Sequence, residues 1–209
     1  MDVLIADDHP VVRKGLKQIL EEEFAPLQLG EAEDSGRAIE LVRSRPWDIV
    51  ILDITIPPRS GLDVLRDIKA ERPKLPVLIL SIHPEDQYAV RALRAGASGY
   101  MTKECAPKEL IKAVRIILKG GKYISASLAE KLADRLSSDA QVPLHESLSD
   151  REYQVFCLLA SGKTTSEIAA ELFLSIKTIG TFRTRILKKM GMKNNAELAR
   201  YAIQNGLIE

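Results

Sequence analysis

The segment Ile49-Val50-Ile51-Leu52-Asp53 is the strongest indication of the fold, because four consecutive apolar residues lead directly into a carboxylate. A short apolar run of this kind is typical of a strand that is buried on both faces of a parallel sheet. Two similar runs lie on either side of it in the chain: Val3-Leu4-Ile5-Ala6 ends at Asp7, and Val77-Leu78-Ile79-Leu80 ends at Ser81. The sequence therefore predicts a parallel sheet whose strands end in polar side chains.

Segments with helical periodicity separate these runs throughout residues 1–118. Strands that alternate with helices form βαβ units, in which the helices cover both faces of a parallel sheet. We predict one doubly wound α/β domain with five strands and five helices. The strands are predicted near Val3–Ala6, Leu27–Ala32, Ile49–Asp53, Val77–Ser81 and Gly99–Thr102, and the helices near residues 10–22, 36–45, 61–71, 85–95 and 107–118.

The last third of the chain contains helical patterns without strand-like runs. Three of its segments have the form of a capping box, with a polar first residue and a Glu three residues later, and they begin at Ser149, Thr164 and Asn194. We predict an all-α domain with four helices, near residues 149–160, 164–171, 175–190 and 194–205. The predicted domains are 1–120, a linker at 121–147 with one helix near Ser127–Leu136, and 148–209.

The composition indicates globular domains and excludes several classes of protein. The chain has 209 residues, of which 45% are hydrophobic and 28% are charged, and its net charge is +1. Its two cysteines, Cys105 and Cys157, are too few for a disulfide framework, which favours the reducing cytoplasm. We expect neither a signal peptide nor a membrane span, since no apolar run is long enough. The histidines His9, His83 and His145 have no metal-ligand spacing and are interpreted as surface or structural residues.

Several reactive side chains follow the predicted strands, namely Asp7, Asp8, Asp53, Ser81 and Lys103. The carboxyl ends of parallel strands meet at the edge where α/β sheets bind ligands. Carboxylates held together there repel one another unless a cation lies among them, and Mg²⁺ prefers such oxygen ligands. Asp53 is the candidate nucleophile for a phosphoryl group, with Lys103 to compensate the charge and Ser81 as hydroxyl donor. Each Asp alone is explained as a helix cap, so the joint placement carries the functional interpretation.

These motifs resemble the receiver domain of two-component response regulators, a flavodoxin-like fold, over residues 1–118. The resemblance implies that Asp7, Asp8, Asp53 and the backbone carbonyl of Thr55 bind Mg²⁺. It also implies that a sensor histidine kinase or a phosphotransfer protein phosphorylates Asp53. In the family, the residue at the position of Ser81 moves toward the phosphate, and the one at Tyr100 rotates inward as the conformational readout.

The segment from Ser175 to Lys193 carries six basic residues and no acidic residue. Apolar residues recur at helical spacing between the basic ones, so one face of the helix is buried and the other is positive. A short helix precedes it across Phe173-Leu174, which predicts a helix-turn-helix that places the second helix in a major groove. A basic face alone is usually only solvated, but the tight turn and the missing acidic residues favour nucleic-acid binding.

Three stretches resemble the LuxR-type DNA-binding domain of the NarL/FixJ response regulators: Leu148-Ser149-Asp150-Arg151-Glu152, Glu167-Ile168-Ala169 and Ser175-Ile176-Lys177-Thr178-Ile179. The resemblance implies contacts to phosphates from Lys177, Thr178, Arg185 and Lys189, and to bases from Gly180, Thr181 and Thr184, with Lys188 as a further basic DNA-binding residue. Gly180 and Phe182 depart from the Lys and His that are frequent in the family. Direct base readout is therefore expected to be sparse.

Together the two patterns favour a transcription factor, not an enzyme, that is switched by phosphorylation. The expected partners are promoter DNA, a kinase or phosphotransfer protein, and a second copy of the chain once phosphorylated. One alternative keeps the DNA binding but makes the receiver a phosphate-independent dimerisation module. Another is a phosphotransferase or phosphatase with an aspartyl nucleophile, although such phosphatases usually carry a second carboxylate where Thr55 stands.

Overall fold

A computed structural model describes residues 1–137 and 143–208 of the chain. The contacts within it divide the chain into two compact units, Met1–Leu132 and Ala133–Glu209. The predicted domain bounds at 120 and 148 stay a prediction, and residues 138–142 of the predicted linker lie outside the described residues. Among the described residues, every helix is too short or too polar to reach across a bilayer.

The first unit is built on a five-stranded parallel sheet, as predicted. Its strands are β1 Asp2–Ala6, β2 Gln28–Ala32, β3 Ile49–Asp53, β4 Val77–Ser81 and β5 Gly99–Thr102. Their order across the sheet is β2-β1-β3-β4-β5, which is the flavodoxin-like order with its switch point between β1 and β3. All residues of β3 and β4 are buried, as their uninterrupted apolar runs require.

Five helices join these strands: α1 Pro10–Glu23, α2 Ser35–Ser44, α3 Gly61–Glu71, α4 Glu85–Arg94 and α5 Pro107–Leu118. Leu16 and Leu20 of α1 and Val114 of α5 share one apolar cluster with Ile5 and Ile51 of the sheet. Because side chains alternate between the faces of a strand, these contacts place α1 and α5 on the same face. The packing holds the carboxyl ends of β1, β3 and β5 at one edge of the sheet.

The described residues after α5 form five more α-helices, as predicted: α6 Ala126–Ser137, α7 Asp150–Ala160, α8 Thr165–Glu171, α9 Ile176–Met190 and α10 Asn195–Gln204. The capping boxes that begin at Ser149 and Thr164 are both formed. The third predicted box is only half formed, because the Asn194 side chain caps the Glu197 N–H while Glu197 accepts from the Lys193 N–H. A 3₁₀ turn at Leu144–Ser147, which lacks the length for a visible apolar period, was not predicted.

Candidate functional sites

Two carboxylates meet at the carboxyl end of the sheet. Asp53 is the last residue of β3, and Asp7 follows β1, whose Ala6 pairs in register with Leu52. Neighbouring strands lie about 4.8 Å apart, so the side chains that follow the ends of these two strands lie close together. Both residues are only 2% exposed. The structure thus brings together two of the side chains that the sequence predicts for a metal site and a phosphoryl acceptor.

Lys103 joins these two carboxylates from the end of β5. Its Nζ lies 2.7 Å from Asp7 Oδ2 and 2.8 Å from Asp53 Oδ2. Burial by itself would lower the pKa of Lys103, but the two carboxylates outweigh it and raise that pKa above its ordinary value. The ammonium group is therefore held in its charged form, and it supplies part of the cationic charge that the crowded carboxylates need.

The backbone positions Asp53 in two ways: one hydrogen bond reaches its side chain, and the start of α3 closes against its carbonyl group. Its Oδ1 accepts a hydrogen bond of 3.1 Å from the Thr55 N–H. Burial raises the pKa of the Asp53 carboxyl, against the opposing effect of Lys103. Behind the strand, Gly61 N–H donates to the Ile54 carbonyl, and a Cβ on Gly61 would lie 2.0 Å from the Asp53 carbonyl oxygen. The start of α3 can therefore close against the end of β3 only with glycine at this position.

The donor set at this edge fits a divalent cation. Ligand atoms of Asp7, Asp8, His9 and Asp53 all lie within 4.8 Å of one another. Asp8 Oδ1 is buried and accepts no hydrogen bond, although His9 Nδ1 lies 2.6 Å from it. An oxygen that is buried and unsatisfied is suited to a metal ligand. His9 was not predicted at this site, since a single histidine beside two aspartates gives no recognisable metal spacing.

The predicted switch residues Ser81 and Tyr100 are both fully buried. The Ser81 hydroxyl accepts from the His83 N–H at 3.1 Å, and the Tyr100 hydroxyl donates to the His83 carbonyl at 2.8 Å. Burial raises the pKa of Tyr100 well above its ordinary value, so the phenol stays a donor. The peptide groups of His83 and a side-chain hydrogen bond between Ser81 and Tyr100 thus link the two residues, which no pattern in the sequence indicates. Nearby, the hydroxyl of Thr55 is buried without a hydrogen-bond partner.

Helix α9 presents the predicted basic face in the second unit. Ser175 caps its first turn, Gly191 ends it at a φ of 66°, and Ile179, Ile186 and Met190 are buried. The exposed predicted residues are Lys177, Thr181, Thr184, Arg185, Lys188 and Lys189, while Thr178 and Gly180 are half-buried. Leu172 caps the carboxyl end of α8, and Phe173 makes the turn into α9 at a φ of 54°. The two helices therefore have the short connection expected of a helix-turn-helix.

The Lys189 side chain, predicted to contact phosphate, is paired inside its own domain. Its Nζ lies 2.6 Å from Glu152 Oε2, a carboxylate that also accepts from the Ser149 N–H. Burial would raise the pKa of Glu152, but the hydrogen bonds from Lys189 and Ser149 lower it below its ordinary value. No pattern along the chain indicates this pair, because the two residues are brought together only when α9 packs on α7.

Both parts of the chain are similar to known protein families. Residues 3–115 match the response regulator receiver domain, and residues 146–202 match the bacterial regulatory proteins of the luxR family. Response regulator UvrY of Escherichia coli is 32% identical over 208 residues, which cover 99% of this chain and 95% of UvrY. Oxygen regulatory protein NreC of Staphylococcus aureus is 33% identical over 216 residues, which cover 100% of both chains.

Solved structures with both domains are also similar to this chain. RcsB of Salmonella enterica serovar Typhimurium, bound to promoter rprA with phosphomimetic BeF3−, is 30% identical with a TM-score of 0.65, over 96% of this chain and 98% of that one. Another structure of the Salmonella typhimurium RcsB response regulator is 29% identical with a TM-score of 0.69, over 98% of each chain. The similarity thus extends across both domains.

Proposed function

Because the chain belongs to the response regulators that join a receiver domain to a LuxR-type DNA-binding domain, we propose that it is a transcription factor whose DNA binding is switched by phosphorylation of Asp53. The phosphate donor is a sensor histidine kinase or a phosphotransfer protein. One observation carries the proposal: Lys103 forms ion pairs with Asp53 and Asp7 in a buried cluster that leaves an Asp8 oxygen unsatisfied. A purely structural set of helix caps has no need of this arrangement.

The proposed reaction transfers one phosphoryl group. An Asp53 carboxylate oxygen forms a bond to phosphorus while the bond from phosphorus to the donor histidine nitrogen breaks, and that nitrogen keeps the electron pair. Lys103 compensates the added negative charge from its position beside Asp53 Oδ2. Asp7, Asp8, Asp53 and the Thr55 carbonyl are the residues proposed to hold Mg²⁺, which would neutralise charge on the phosphoryl oxygens. We propose no turnover of an outside phosphate ester, since Thr55 provides no general acid.

The proposed switch begins at Ser81. Its hydroxyl accepts from the His83 N–H and makes a side-chain hydrogen bond with Tyr100, so donation of its proton to a phosphoryl oxygen on Asp53 would break the bond to Tyr100. Movement of Ser81 toward the phosphate would shift the His83 peptide groups, one of which accepts from the Tyr100 hydroxyl. A local change of charge at Asp53 can in this way bias the conformation of the β4–α4 loop and of Tyr100.

For the second domain we propose that α9 lies in a major groove of promoter DNA. Because its DNA target would lie in the cytoplasm, we propose that the protein acts there. Lys177, Arg185 and Lys188 are exposed and are the proposed phosphate contacts, with Thr178 at the start of the helix. Gly180, Thr181 and Thr184 are proposed to lie nearest the bases. Lys189 can take part only if it leaves Glu152, so we rank it last among these contacts. Phosphorylation is proposed to favour a homodimer that binds paired half-sites.

The test is to incubate the full chain with acetyl phosphate and Mg²⁺ and to measure its mass and its affinity for promoter DNA. We expect the mass of one phosphoryl group to be added and the affinity to rise. Asp53→Asn should show neither change. Asp67→Asn, which removes an exposed carboxylate from α3, is the matched control and should behave as the wild type.

Two results would overturn the proposal. If Asp53→Asn is labelled and responds as the wild type does, another residue accepts the phosphate. If the wild type binds promoter DNA with the same affinity before and after the treatment and gains no mass, the receiver acts independently of phosphate.

A further inference from the structure

The exposed middle of α9 lacks the side chains that usually read guanine. Arg and Lys donors contact the guanine O6 and N7 acceptors, and Asn or Gln make paired bonds to adenine. Between Thr178 and Thr184 the one guanidinium belongs to Arg183, whose Nε donates to Asn195 Oδ1 at 2.7 Å and is thereby directed to α10. The exposed cations Lys177, Arg185 and Lys188 lie toward the two ends of the helix face. These positions suit phosphates on either side of a groove better than bases at its floor.

The two threonines of this face have their hydroxyls turned back to the helix. Thr181 Oγ1 donates to the Lys177 carbonyl at 3.0 Å, and Thr184 Oγ1 donates to the Gly180 carbonyl at 3.0 Å. Both side chains are exposed. A hydroxyl whose proton is used in this way can still accept a hydrogen bond, but it cannot donate one to guanine. The γ-methyl is the other group that a threonine side chain can offer to a ligand.

Gly180 has no structural requirement within the domain. It lies inside α9 between the two ends of the exposed face, where glycine lowers helix stability relative to alanine. An added Cβ would meet no atom within 4 Å, and the backbone there is not in the left-handed region. We therefore expect this glycine to matter for contact with a ligand. Threonine side chains are short, so they reach base edges only if the helix backbone comes close, and a glycine permits that approach.

We propose that α9 reads A·T base pairs, through contacts of the Thr181 and Thr184 methyl groups with thymine methyl groups and through hydroxyl oxygens that accept from the adenine amine. The inference rests on the proposed function, since it names the class of sequence that the DNA-binding domain selects. Thymine presents a C5-methyl group in the major groove and its partner adenine presents an N6 amine, so both groups of a back-bonded threonine find a partner there. Guanine offers only acceptors at this edge and is not recognised by these residues.

The experiment first selects bound duplexes from a random library, using the full chain treated with acetyl phosphate and Mg²⁺. The preferred duplex is then prepared with deoxyuridine in place of each thymine in turn, which removes a methyl group and keeps the base pair. We expect half-sites with thymine at the positions facing α9, and an affinity loss of about fourfold for each thymine methyl that is contacted.

Two variants separate the methyl contact from folding. Thr181→Ser keeps the hydroxyl and removes the methyl, so it should bind the thymine and deoxyuridine duplexes equally at the position it faces. Gly180→Ala should raise the thermal unfolding temperature, because its methyl group enters open space, and yet weaken binding on the order of tenfold, comparable to one mismatched base pair. A Gly180 that plays no part in DNA binding would instead give a more stable protein with unchanged affinity.

The possible outcomes separate a failure of the A·T preference from a failure of the proposed function. Selection of half-sites with guanine at the positions facing α9, together with no response to deoxyuridine, would overturn the inference and leave the proposed function standing. Failure to enrich any duplex would overturn both. Enrichment of A·T pairs whose thymine methyl groups can be removed without loss would also overturn the inference, because the preference would then come from DNA shape.

Discussion

Gly61 shows how a single residue without a side chain positions a reactive one. The atom nearest to an added Cβ is the backbone oxygen of Asp53, at 2.0 Å, and backbone cannot give way as a flexible side chain can. Gly61→Ala must therefore displace either the start of α3 or the end of β3. We expect it to lower the free energy of unfolding by roughly 2–3 kcal/mol, as overpacking does, and to slow the labelling of Asp53 by acetyl phosphate.

The matched control for Gly61 is Gly15, in the exposed interior of α1. An added Cβ there meets no atom within 4 Å. Gly15→Ala should raise the free energy of unfolding by about 0.5–1 kcal/mol through helix propensity and leave the labelling rate unchanged. Urea denaturation and mass spectrometry measure the two quantities. Equal effects of the two substitutions would show that the close approach at Asp53 is unimportant.

Glu152 makes the stability of the second domain dependent on pH. It is 4% exposed, and hydrogen bonds from Lys189 and Ser149 outweigh burial and hold its pKa below the ordinary value of 4.5. The folded chain therefore binds this proton more weakly than the unfolded chain. The stabilisation is complete above about pH 4.5 and is lost as the pH falls below that value.

Glu152→Gln tests this dependence directly. At neutral pH it should lower the free energy of unfolding by about 2 kcal/mol, because it removes charge-assisted hydrogen bonds. The difference from the wild type should shrink as the pH falls from about 5 to about 3. Glu167→Gln alters the equivalent capping box at the exposed start of α8, and its effect should be smaller. If the variant and the wild type differ in free energy of unfolding by the same amount over this whole pH range, Glu152 is not the group that causes the pH dependence.

Two neighbouring lysines of α9 differ in their contacts. Lys188 is exposed, whereas Lys189 is bound to Glu152 and also lies 3.5 Å from the Ser147 carbonyl. We expect Lys188→Ala to reduce the slope of the logarithm of DNA affinity against the logarithm of salt concentration by about 1, with unchanged stability. Lys189→Ala should leave that slope nearly unchanged and lower the unfolding temperature.

Salt titrations of DNA binding and thermal unfolding of the same two variants measure these effects. The comparison decides a point that family resemblance alone does not, since the resemblance assigns phosphate contacts to Lys189. A loss of salt dependence in Lys189→Ala equal to that in Lys188→Ala would show that Lys189 leaves Glu152 when DNA binds.

The elements could be predicted from the sequence wherever the pattern is local. Strand β3 reads as one apolar run because it is buried on both faces, and the helix starts at Ser149 and Thr164 carry their own caps. The edge strand β2 begins one residue later than predicted and is mostly not buried, so its apolar pattern is weaker. The edge of the sheet could be predicted as a site because parallel strands bring their ends together.

The contacts between distant segments could not be predicted in the same way. The pairing of Lys189 with Glu152 depends on how α9 packs on α7, and Ser81 and Tyr100 are linked by a side-chain hydrogen bond and through the backbone of His83. Neither depends on spacing along the chain. Sequence patterns thus predict candidate reactive residues, while the geometry of packing determines which of their side chains are already engaged within the protein.

Phosphorylation should act through the pairing of two chains on DNA. Binding of one domain holds the second near its half-site, which raises the apparent affinity on the order of 100-fold without any new contact. We expect acetyl phosphate and Mg²⁺ to give this gain on duplexes whose half-sites lie about one helical turn apart, roughly 10 base pairs. The gain should vanish on a single half-site and when about 5 base pairs are inserted, which turns the half-sites to opposite faces of the duplex.

Light scattering measures the pairing of the chains and DNA titration measures the gain in affinity, with Asp53→Asn as the control. An equal gain on a single half-site would mean instead that phosphorylation releases a DNA-binding domain that was blocked within one chain.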